Sequence, residues 1–257
     1  MDRSRRCYRK PMTLLCLDET IEMALEQLRK RWEALASPLV SGLGRTNPAI
    51  LTWLALPIGI AASGLVFYAP KSDVGALMLL GSAVMIGVSM ILDGLDGQLA
   101  RQTGQVSRWG DYLDHTLDRL LDAMWVIAIA SSPAWVNDPV LGWAAAWFTI
   151  LGSYMGTQAQ AVSGGRNYRG FSRADRTILT IAALALTGIF WLIGVQDFSA
   201  APSPFDHLEM NPLLVVVLVS GLGGIYTFFV RFSQARKEII ALDKEQPLSQ
   251  QVRDESE

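Results

Sequence analysis

DGLDGQLARQTGQVSRWGDYLDHTLDR, residues 93–119, is the stretch that decides the fold. It carries five aspartates, although apolar runs stand on both sides of it. Helical spacing puts Asp93 and Asp96 on one face of a first helix, and Asp114 and Asp118 on one face of the next. A short link between the two helices brings both acidic groups to the same depth. The stretch therefore predicts two antiparallel helices with four carboxylates converging between them.

The composition is that of an integral membrane protein, since 51% of the 257 residues are hydrophobic. A net charge of −2 provides no basic field, so we expect no nucleic-acid partner. Six apolar runs approach the roughly 20 residues that cross a bilayer. They are residues 48–69, 74–100, 110–132, 139–162, 174–195 and 211–233. The predicted fold class is all-α, a polytopic membrane bundle of six transmembrane helices with an N-terminal cytoplasmic surface helix.

Lysine and arginine predict the orientation, because cytoplasmic loops collect these residues. The N-terminal segment, the second and fourth connections and the tail are basic, whereas the other connections offer only Lys71. We therefore expect an integral cell membrane protein with both termini and the carboxylates at the cytoplasmic face.

Apolar residues repeat at helical spacing ahead of the first run and predict the surface helix, which lies either on the membrane or on the protein's own loops. These residues are Ile21, Leu25, Leu28, Trp32 and Leu35. The predicted organisation is a cytoplasmic segment over 1–47, a transmembrane domain over 48–233 and a polar cytoplasmic tail over 234–257.

Four carboxylates at a membrane boundary need compensating charge, because one carboxylate at mid-bilayer costs roughly 2.5 to 3.5 kcal/mol. An ion-pair network with Arg101, Arg108 and Arg119 is one solution. Divalent cations are the better one, and Mg2+ or Mn2+ prefers oxygen ligands. Two such ions suit phosphoryl chemistry. Gly97 and Gly110 lie one helical turn from an aspartate and leave room for a bulky polar ligand.

The spacing resembles a family signature. Asp93-x2-Asp96-Gly97-x2-Ala100-Arg101-x8-Gly110-x3-Asp114-x3-Asp118 is similar to that of the CDP-alcohol phosphotransferases, with all eight fixed positions and all spacings matched. At the start of the first run, NPAILT is similar to the Asn-Pro-x-x-x-Thr opening of many members, although Ala49 stands where a second asparagine is common.

The resemblance implies transfer of a phosphatidyl-type or archaetidyl-type group from a CDP-linked lipid to a hydroxyl of a small alcohol, with release of CMP. It implies metal ligands at Asp93, Asp96 and Asp114, and a general base at Asp118 that also contacts the second metal. It implies CDP-binding positions at Gly94, Gly97, Ala100, Arg101 and Gly110. The expected partners are the lipid substrate, the alcohol acceptor, membrane lipids and, as is common in the family, a second copy of the chain.

The fourth connection predicts the acceptor. It carries Arg166, Arg169, Arg173 and Arg176, and it resembles the basic stretch of members that use inositol phosphate. Guanidinium groups bind phosphate through paired hydrogen bonds, so a phosphorylated polyol such as inositol phosphate or glycerol phosphate is expected. The alternative is that these arginines only follow the charge bias of cytoplasmic loops.

Two other functions stay open on the residues alone. An intramembrane Mg2+-dependent prenyltransferase also uses acidic motifs, but on well-separated spans. A cation transporter also uses aspartates, but along a path through the membrane. Three neighbours stay outside the predicted site, namely Asp111, His115 and Asp122. Gly152-x3-Gly156 and the SGLGG of the last run permit close helix contacts, either in a dimer or within one bundle.

Overall fold

The computed structural model describes residues 37–44, 46–164, 169–195 and 198–245. Within them a short helix, α1, covers residues 37–43, and six long helices follow. These are α2 Pro48–Tyr68, α3 Asp73–Thr103, α4 Arg108–Ser131, α5 Pro139–Ser163, α6 Arg173–Leu192 and α7 Pro212–Glu245. The described part contains no strand beyond one isolated bridge between Ala200 and Glu209. The predicted all-α class is confirmed, and the predicted surface helix lies outside the described residues.

Local sequence signals set where the helices begin and end. A side chain caps the first turn of each helix from α2 to α6 by accepting a hydrogen bond from a backbone N–H. The capping residues are Asn47, Ser72, Ser107, Asp138 and Ser172. Left-handed glycines, Gly104 and Gly164, follow α3 and α5, because this backbone conformation costs glycine little. The link between α3 and α4 is therefore only residues 104–107.

Consecutive helices run in opposite directions. Ser82 Oγ donates to the Ala62 carbonyl at 3.0 Å and fixes α3 antiparallel to α2, with Thr52 and Asp96 in contact near the other end of the pair. α4 lies along α2, where Trp125 Nε1 donates to the Gly59 carbonyl at 3.1 Å. One end of the bundle therefore combines the first turns of α2, α4 and α6 with the last turns of α3 and α5.

Four helices in the described part are long and apolar enough to cross a membrane, namely α2, α3, α6 and α7. α4 carries the charged residues of the acidic stretch in its first half, and α5 is rich in tryptophan and glutamine, which lowers its hydropathy. At 24 and 25 residues these two helices are each roughly 36 to 38 Å long, enough to span the hydrocarbon core. The predicted count of six spans stays a prediction.

The helices match the predicted runs within a few residues, apart from the end of the last one. The final run was expected to stop at residue 233, whereas α7 continues to Glu245. Hydropathy marks the apolar stretch, and the helix extends past it into polar sequence. The small residues serve contacts within the chain, since a Cβ added at Gly152 of α5 would stand 2.9 Å from the Gly224 carbonyl of α7.

The opposite end of the bundle is tied together by its loops. Lys71 Nζ lies 2.6 Å from Glu209 Oε2, and Trp135 Nε1 donates to the Ala69 carbonyl at 3.0 Å. Asn211, fully buried, donates Nδ2 to the Trp135 carbonyl at 2.9 Å. These contacts join the three loops at the end of the bundle opposite to the acidic stretch.

Candidate active site

The acidic stretch forms one cluster between α3 and α4. Asp93, Asp96 and Asp114 each offer a carboxylate oxygen, and these oxygens all lie within 4.8 Å of one another. Asp96 is only 6% exposed, and the other two are partly buried. Three close carboxylates repel one another unless a cation lies among them, and hard divalent cations take such oxygen ligands. The residues present therefore fit a divalent metal.

A second group of possible ligands shares one residue with the first. Asp114, His115 and Asp118 also offer atoms within 4.8 Å of one another. His115 Nδ1 lies 3.4 Å from Asp114 Oδ2, and its side chain is exposed. Asp114 therefore stands between two adjacent groups, an arrangement that suits two ions held about one shared carboxylate. His115, which the sequence left outside the site, lies at its rim.

Arg173, at the start of α6, lies inside the carboxylate cluster. Its Nη1 is 2.7 Å from Asp93 Oδ2, and its Nη2 is 2.7 Å from Asp118 Oδ1. The sequence placed this arginine in an acceptor loop and gave no sign that it reaches the aspartates. Within the described residues, no ion pair joins Arg101, Arg108 or Arg119 to the four signature aspartates, and Arg119 faces Asp122 instead.

A buried ion pair lies directly behind this cluster. Asp122 follows Asp118 by one turn of α4 and is 5% exposed. Its Oδ1 lies 3.3 Å from Arg173 Nε, and its Oδ2 lies 2.8 Å from Arg176 Nη2. Arg176 also donates Nη1 to the Phe171 carbonyl at 3.1 Å. Arg119, three residues before Asp122 on the same helix, is farther away, with its Nη1 at 3.8 Å from Asp122 Oδ2.

Thr52, on α2, contacts the first group of carboxylates through Asp96. Its Oγ1 donates a short hydrogen bond to Asp96 Oδ2, and the side chain is buried. Such a bond orients a carboxylate and fixes which of its oxygens faces the cluster. Thr52 is the threonine of NPAILT, so the sequence signal was present, but spacing alone did not show that it meets Asp96.

The predicted CDP-binding residues line the joined ends of α3 and α4. Gly94, Gly97, Ala100 and Arg101 occupy the last turns of α3, and Gly110 lies in the first turn of α4. Among the described residues, and apart from the neighbouring backbone of α3, the only atoms within 4 Å of a Cβ added at Gly97 belong to the Arg101 guanidinium, of which Nη1 is the nearer at 3.4 Å. This face of α3 is therefore open to a ligand except where Arg101 crosses it.

A largely apolar cavity of about 390 Å³ opens between α3 and α6 beside the carboxylates. Its lining consists of Met90, Ile91, Asp93, Gly94, Arg173, Ala174 and Thr177. Ile91 is exposed on the bundle surface, whereas Asp93 and Arg173 stand at the polar end. The cavity thus connects the apolar flank of the bundle with the charged cluster.

Of the remaining predicted arginines, Arg169 lies at the same end of the bundle. Arg166 is outside the described residues. The Arg169 carbonyl accepts a hydrogen bond from Arg231 Nε at 2.9 Å, and Arg231 Nη1 donates to the Gly152 carbonyl at 3.0 Å. Arg231 therefore ties the loop before α6 to α5 and α7. Arg231 was not among the predicted site residues, although a lone arginine near the end of an apolar run is a visible signal.

Comparisons with known proteins agree with this geometry. Residues 45–202 match the family model described as CDP-alcohol phosphatidyltransferase. A phosphatidylinositol phosphate synthase of Cutibacterium acnes is 30% identical over 220 residues, which cover 83% of this chain and 98% of the relative. The fold is also similar to two solved structures of the Mycobacterium tuberculosis phosphatidylinositol phosphate synthase.

The first, with CDP-DAG bound, has a TM-score of 0.60 and 21% identity, and covers 79% of this chain and 94% of its own. The second, in complex with manganese and citrate, has a TM-score of 0.58 and 22% identity, and covers 78% of this chain and 88% of its own. At this identity the two structures support the fold.

Proposed function

The chain belongs to the CDP-alcohol phosphatidyltransferase family, and we propose that it transfers a phosphatidyl group from a CDP-linked diacylglycerol to inositol phosphate. One observation carries the choice of acceptor: Arg173 Nη2 lies 2.7 Å from Asp118 Oδ1. A guanidinium suited to phosphate thus stands beside the carboxylate proposed as general base. The similarity to a phosphatidylinositol phosphate synthase over nearly its whole length supports the same acceptor. Glycerol phosphate is the second candidate because it offers the same phosphate.

The proposed metal ligands are Asp93, Asp96 and Asp114 for one ion, and Asp114 with Asp118 for a second. The ions are Mg2+ or Mn2+, since carboxylate oxygens suit both. Bound there, they would neutralise the diphosphate of the donor and make CMP a better leaving group. Thr52 supports this group because its hydrogen bond holds the Asp96 carboxylate in one orientation.

The donor is proposed to lie along the open face of α3. Gly94, Gly97, Ala100 and Arg101, together with Gly110 of α4, form the CDP-binding surface. The absence of a side chain at Gly97 lets the nucleotide approach the helix, and Arg101 supplies a positive charge for its phosphates. The apolar cavity beside Asp93 suits the lipid part of the same molecule.

The acceptor is proposed to enter from the start of α6. Arg173 binds its phosphate, with Arg169 and Arg166 on the preceding loop as further contacts. Arg176 is a weaker candidate, since its side chain is only 7% exposed, against 18% for Arg173, and it faces Asp122 and the Phe171 carbonyl rather than the carboxylates of the predicted site. The acceptor hydroxyl oxygen forms a bond to the lipid-side phosphorus, the bond from that phosphorus to the CMP oxygen breaks, and the hydroxyl proton passes to Asp118.

The proposed setting is a cell membrane with six spans, both termini cytoplasmic and the active site at the cytoplasmic face. A homodimer is proposed from the family resemblance. The internal contact between Gly152 and Gly224 means that these glycines do not argue for it. Family membership sets aside the prenyltransferase and transporter alternatives, because the chain belongs to an enzyme family that acts on CDP-linked alcohols.

CMP release by the purified protein tests the proposal. The donor is CDP-diacylglycerol, with the archaeal ether analogue in a parallel arm, and the acceptors are inositol phosphate, glycerol phosphate, serine and free inositol. Each reaction is run with Mn2+, with Mg2+ and with a chelator. We expect CMP and a phosphorylated inositol lipid only with inositol phosphate and a divalent ion. Equal turnover with free inositol or serine would refute the acceptor, and no CMP with any acceptor would refute the reaction.

A further inference from the structure

Asp122 is a buried acid that the proposed reaction does not use. It lies one turn beyond Asp118 on α4, and each of its oxygens has a different arginine as its nearest partner. Oδ1 accepts from Arg173 Nε at 3.3 Å, and Oδ2 accepts from Arg176 Nη2 at 2.8 Å. The carboxylate therefore lies behind the cluster rather than within it.

The three donor nitrogens of Arg173 face three separate carboxylates. Nε faces Asp122 on the inner side, whereas Nη1 and Nη2 face Asp93 and Asp118 on the side of the predicted site. A guanidinium is planar, so fixing Nε fixes the direction of the other two nitrogens. Only 18% of the Arg173 side chain is exposed, which leaves it little freedom to find another orientation.

We propose that Asp122 is the positioning residue of Arg173 and that it sets the preference for a phosphorylated acceptor. It holds the inner edge of the guanidinium so that Nη1 and Nη2 are both presented to the acceptor phosphate. The inference rests on the proposed function, because it concerns the phosphate that Arg173 binds there. Asp122 touches neither substrate, and it acts through Arg173 alone.

Paired hydrogen bonds to phosphate depend on this orientation. Two parallel N–H bonds form only when the guanidinium plane faces the phosphate edge-on, and a rotated group offers one bond. An asparagine at position 122 keeps one acceptor oxygen, but its amide N–H groups oppose one of the two guanidinium groups. The substitution is therefore expected to weaken binding of the acceptor phosphate and to leave binding of the CDP-lipid, along α3, almost unchanged.

A substitution at Arg176 distinguishes two roles of Asp122, namely positioning Arg173 and neutralising the buried charge of Arg176. Its side chain is 7% exposed, and it is held by Asp122 and by the Phe171 carbonyl. If Asp122 serves only to neutralise Arg176, removing both charges together restores function. If Asp122 positions Arg173, the acceptor defect persists after both are removed.

The experiment compares wild type with Asp122→Asn, Arg176→Gln and the double variant. The Michaelis constants for inositol phosphate and for CDP-diacylglycerol, kcat and the thermal midpoint are measured for each. Asp175→Asn is the matched control, an exposed acid of α6 that caps its own helix and contacts Ser172. If Asp122→Asn alone is unstable, the double variant keeps the test valid, because it also removes the Arg176 charge that would otherwise stay buried without its carboxylate.

We expect Asp122→Asn and the double variant to raise the KM for inositol phosphate about tenfold or more, as for the loss of one charge-assisted hydrogen bond. The KM for CDP-diacylglycerol stays within about twofold of wild type in all variants. Asp175→Asn keeps the wild-type acceptor KM, and any rise in Arg176→Gln is smaller than the rise in Asp122→Asn.

Recovery of the acceptor KM in the double variant would overturn the proposal, since it would show charge compensation alone. An equal rise in both Michaelis constants, no rise in either, or the same acceptor defect in Arg176→Gln would overturn it as well. If the wild type itself does not use inositol phosphate or glycerol phosphate, the proposed function fails instead. The two failures are therefore distinguishable.

Discussion

Arg173 Nη2 and Asp118 Oδ1 lie 2.7 Å apart and join the first turn of α6 to the first half of α4. The two residues are separated by 55 positions in the sequence, and each has a part in the proposed transfer. A phosphate that binds Arg173 takes over hydrogen bonds that the arginine gives to carboxylates. In the proposed transfer, acceptor binding would thereby be linked through one side chain to the release of Asp118 for proton transfer.

Replacement of Arg173 by lysine keeps a positive charge and removes the planar fork. We expect Arg173→Lys to lower kcat/KM for inositol phosphate about 100-fold, because one ammonium cannot replace two directed N–H bonds and the Nε contact. The KM for CDP-diacylglycerol is expected to stay near the wild-type value. Steady-state kinetics with each substrate varied in turn measure both constants. An unchanged acceptor constant would remove Arg173 from the acceptor site.

Asp118 is expected to be essential for turnover as the proton acceptor. Asp118→Asn keeps the size of the side chain and removes its basicity, so CMP release is expected to fall by about 10²- to 10⁴-fold. Asp111→Asn serves as the matched control, since Asp111 lies on the same helix, is exposed and stands outside the signature. Full turnover by Asp118→Asn would eliminate the general-base role, and an equal loss in Asp111→Asn would point to a general effect of charge on α4.

The sequence predicted the helices and the four aspartates because both depend on local spacing. Apolar runs of helical length predicted where the helices lie, and intervals of three and four residues predicted which carboxylates share a helix face. The positions of Arg173 and Thr52 depend instead on which helices become neighbours. Arg173 reaches Asp93 across 80 positions, and Thr52 reaches Asp96 across 44. No periodicity within one helix contains this information.

The family resemblance supplied roles for residues that spacing could only group. It distinguished Asp118 from the other aspartates, but it gave no role to Asp122. Asp122 continues the same face of α4 one turn beyond Asp118, but the sequence left it outside the predicted site. Its closest arginine partners lie on α6. A buried carboxylate selects its cations by packing, which the sequence of α4 alone does not determine.

Metal binding is expected to depend unequally on the aspartates. Asp114 belongs to both ligand groups, whereas Asp96 belongs to one. Electron paramagnetic resonance of added Mn2+ should show two bound ions per chain in the wild type and one in Asp96→Asn. In Asp114→Asn it should show none or only weak binding. The readout needs no turnover. Equal losses of bound Mn2+ in both variants would contradict Asp114 as a shared ligand. Unchanged Mn2+ binding in both variants would contradict the proposed metal site.

Thr52 is expected to tune this metal group through Asp96. Thr52→Val has nearly the same shape and lacks the hydroxyl that donates to Asp96 Oδ2. Loss of such a supporting hydrogen bond typically weakens metal affinity about 10- to 100-fold. We therefore expect a higher Mn2+ concentration for half-maximal activity, with near-normal turnover at saturating Mn2+. A matched control is Ser89→Ala, which loses a buried hydrogen bond between the same two helices, to the Ala55 carbonyl.

Gly97 is expected to be required for binding of the CDP-lipid donor but not for the stability of the fold. In Gly97→Ala the added methyl group stands 3.4 Å from Arg101 Nη1, an ordinary contact with a flexible side chain, and alanine favours a helix by about 1 kcal/mol over glycine. The thermal midpoint should therefore hold or rise. The KM for CDP-diacylglycerol should increase about tenfold, because the methyl group occupies space that the nucleotide needs near the backbone. Gly87→Ala is the control, since Gly87 is also on α3 and no atom of the described residues beyond the neighbouring helix backbone lies within 4 Å of the added Cβ. It should change the thermal midpoint as Gly97→Ala does and leave the KM for CDP-diacylglycerol unchanged. Equal donor constants in the two variants would show that the α3 face at Gly97 does not receive CDP.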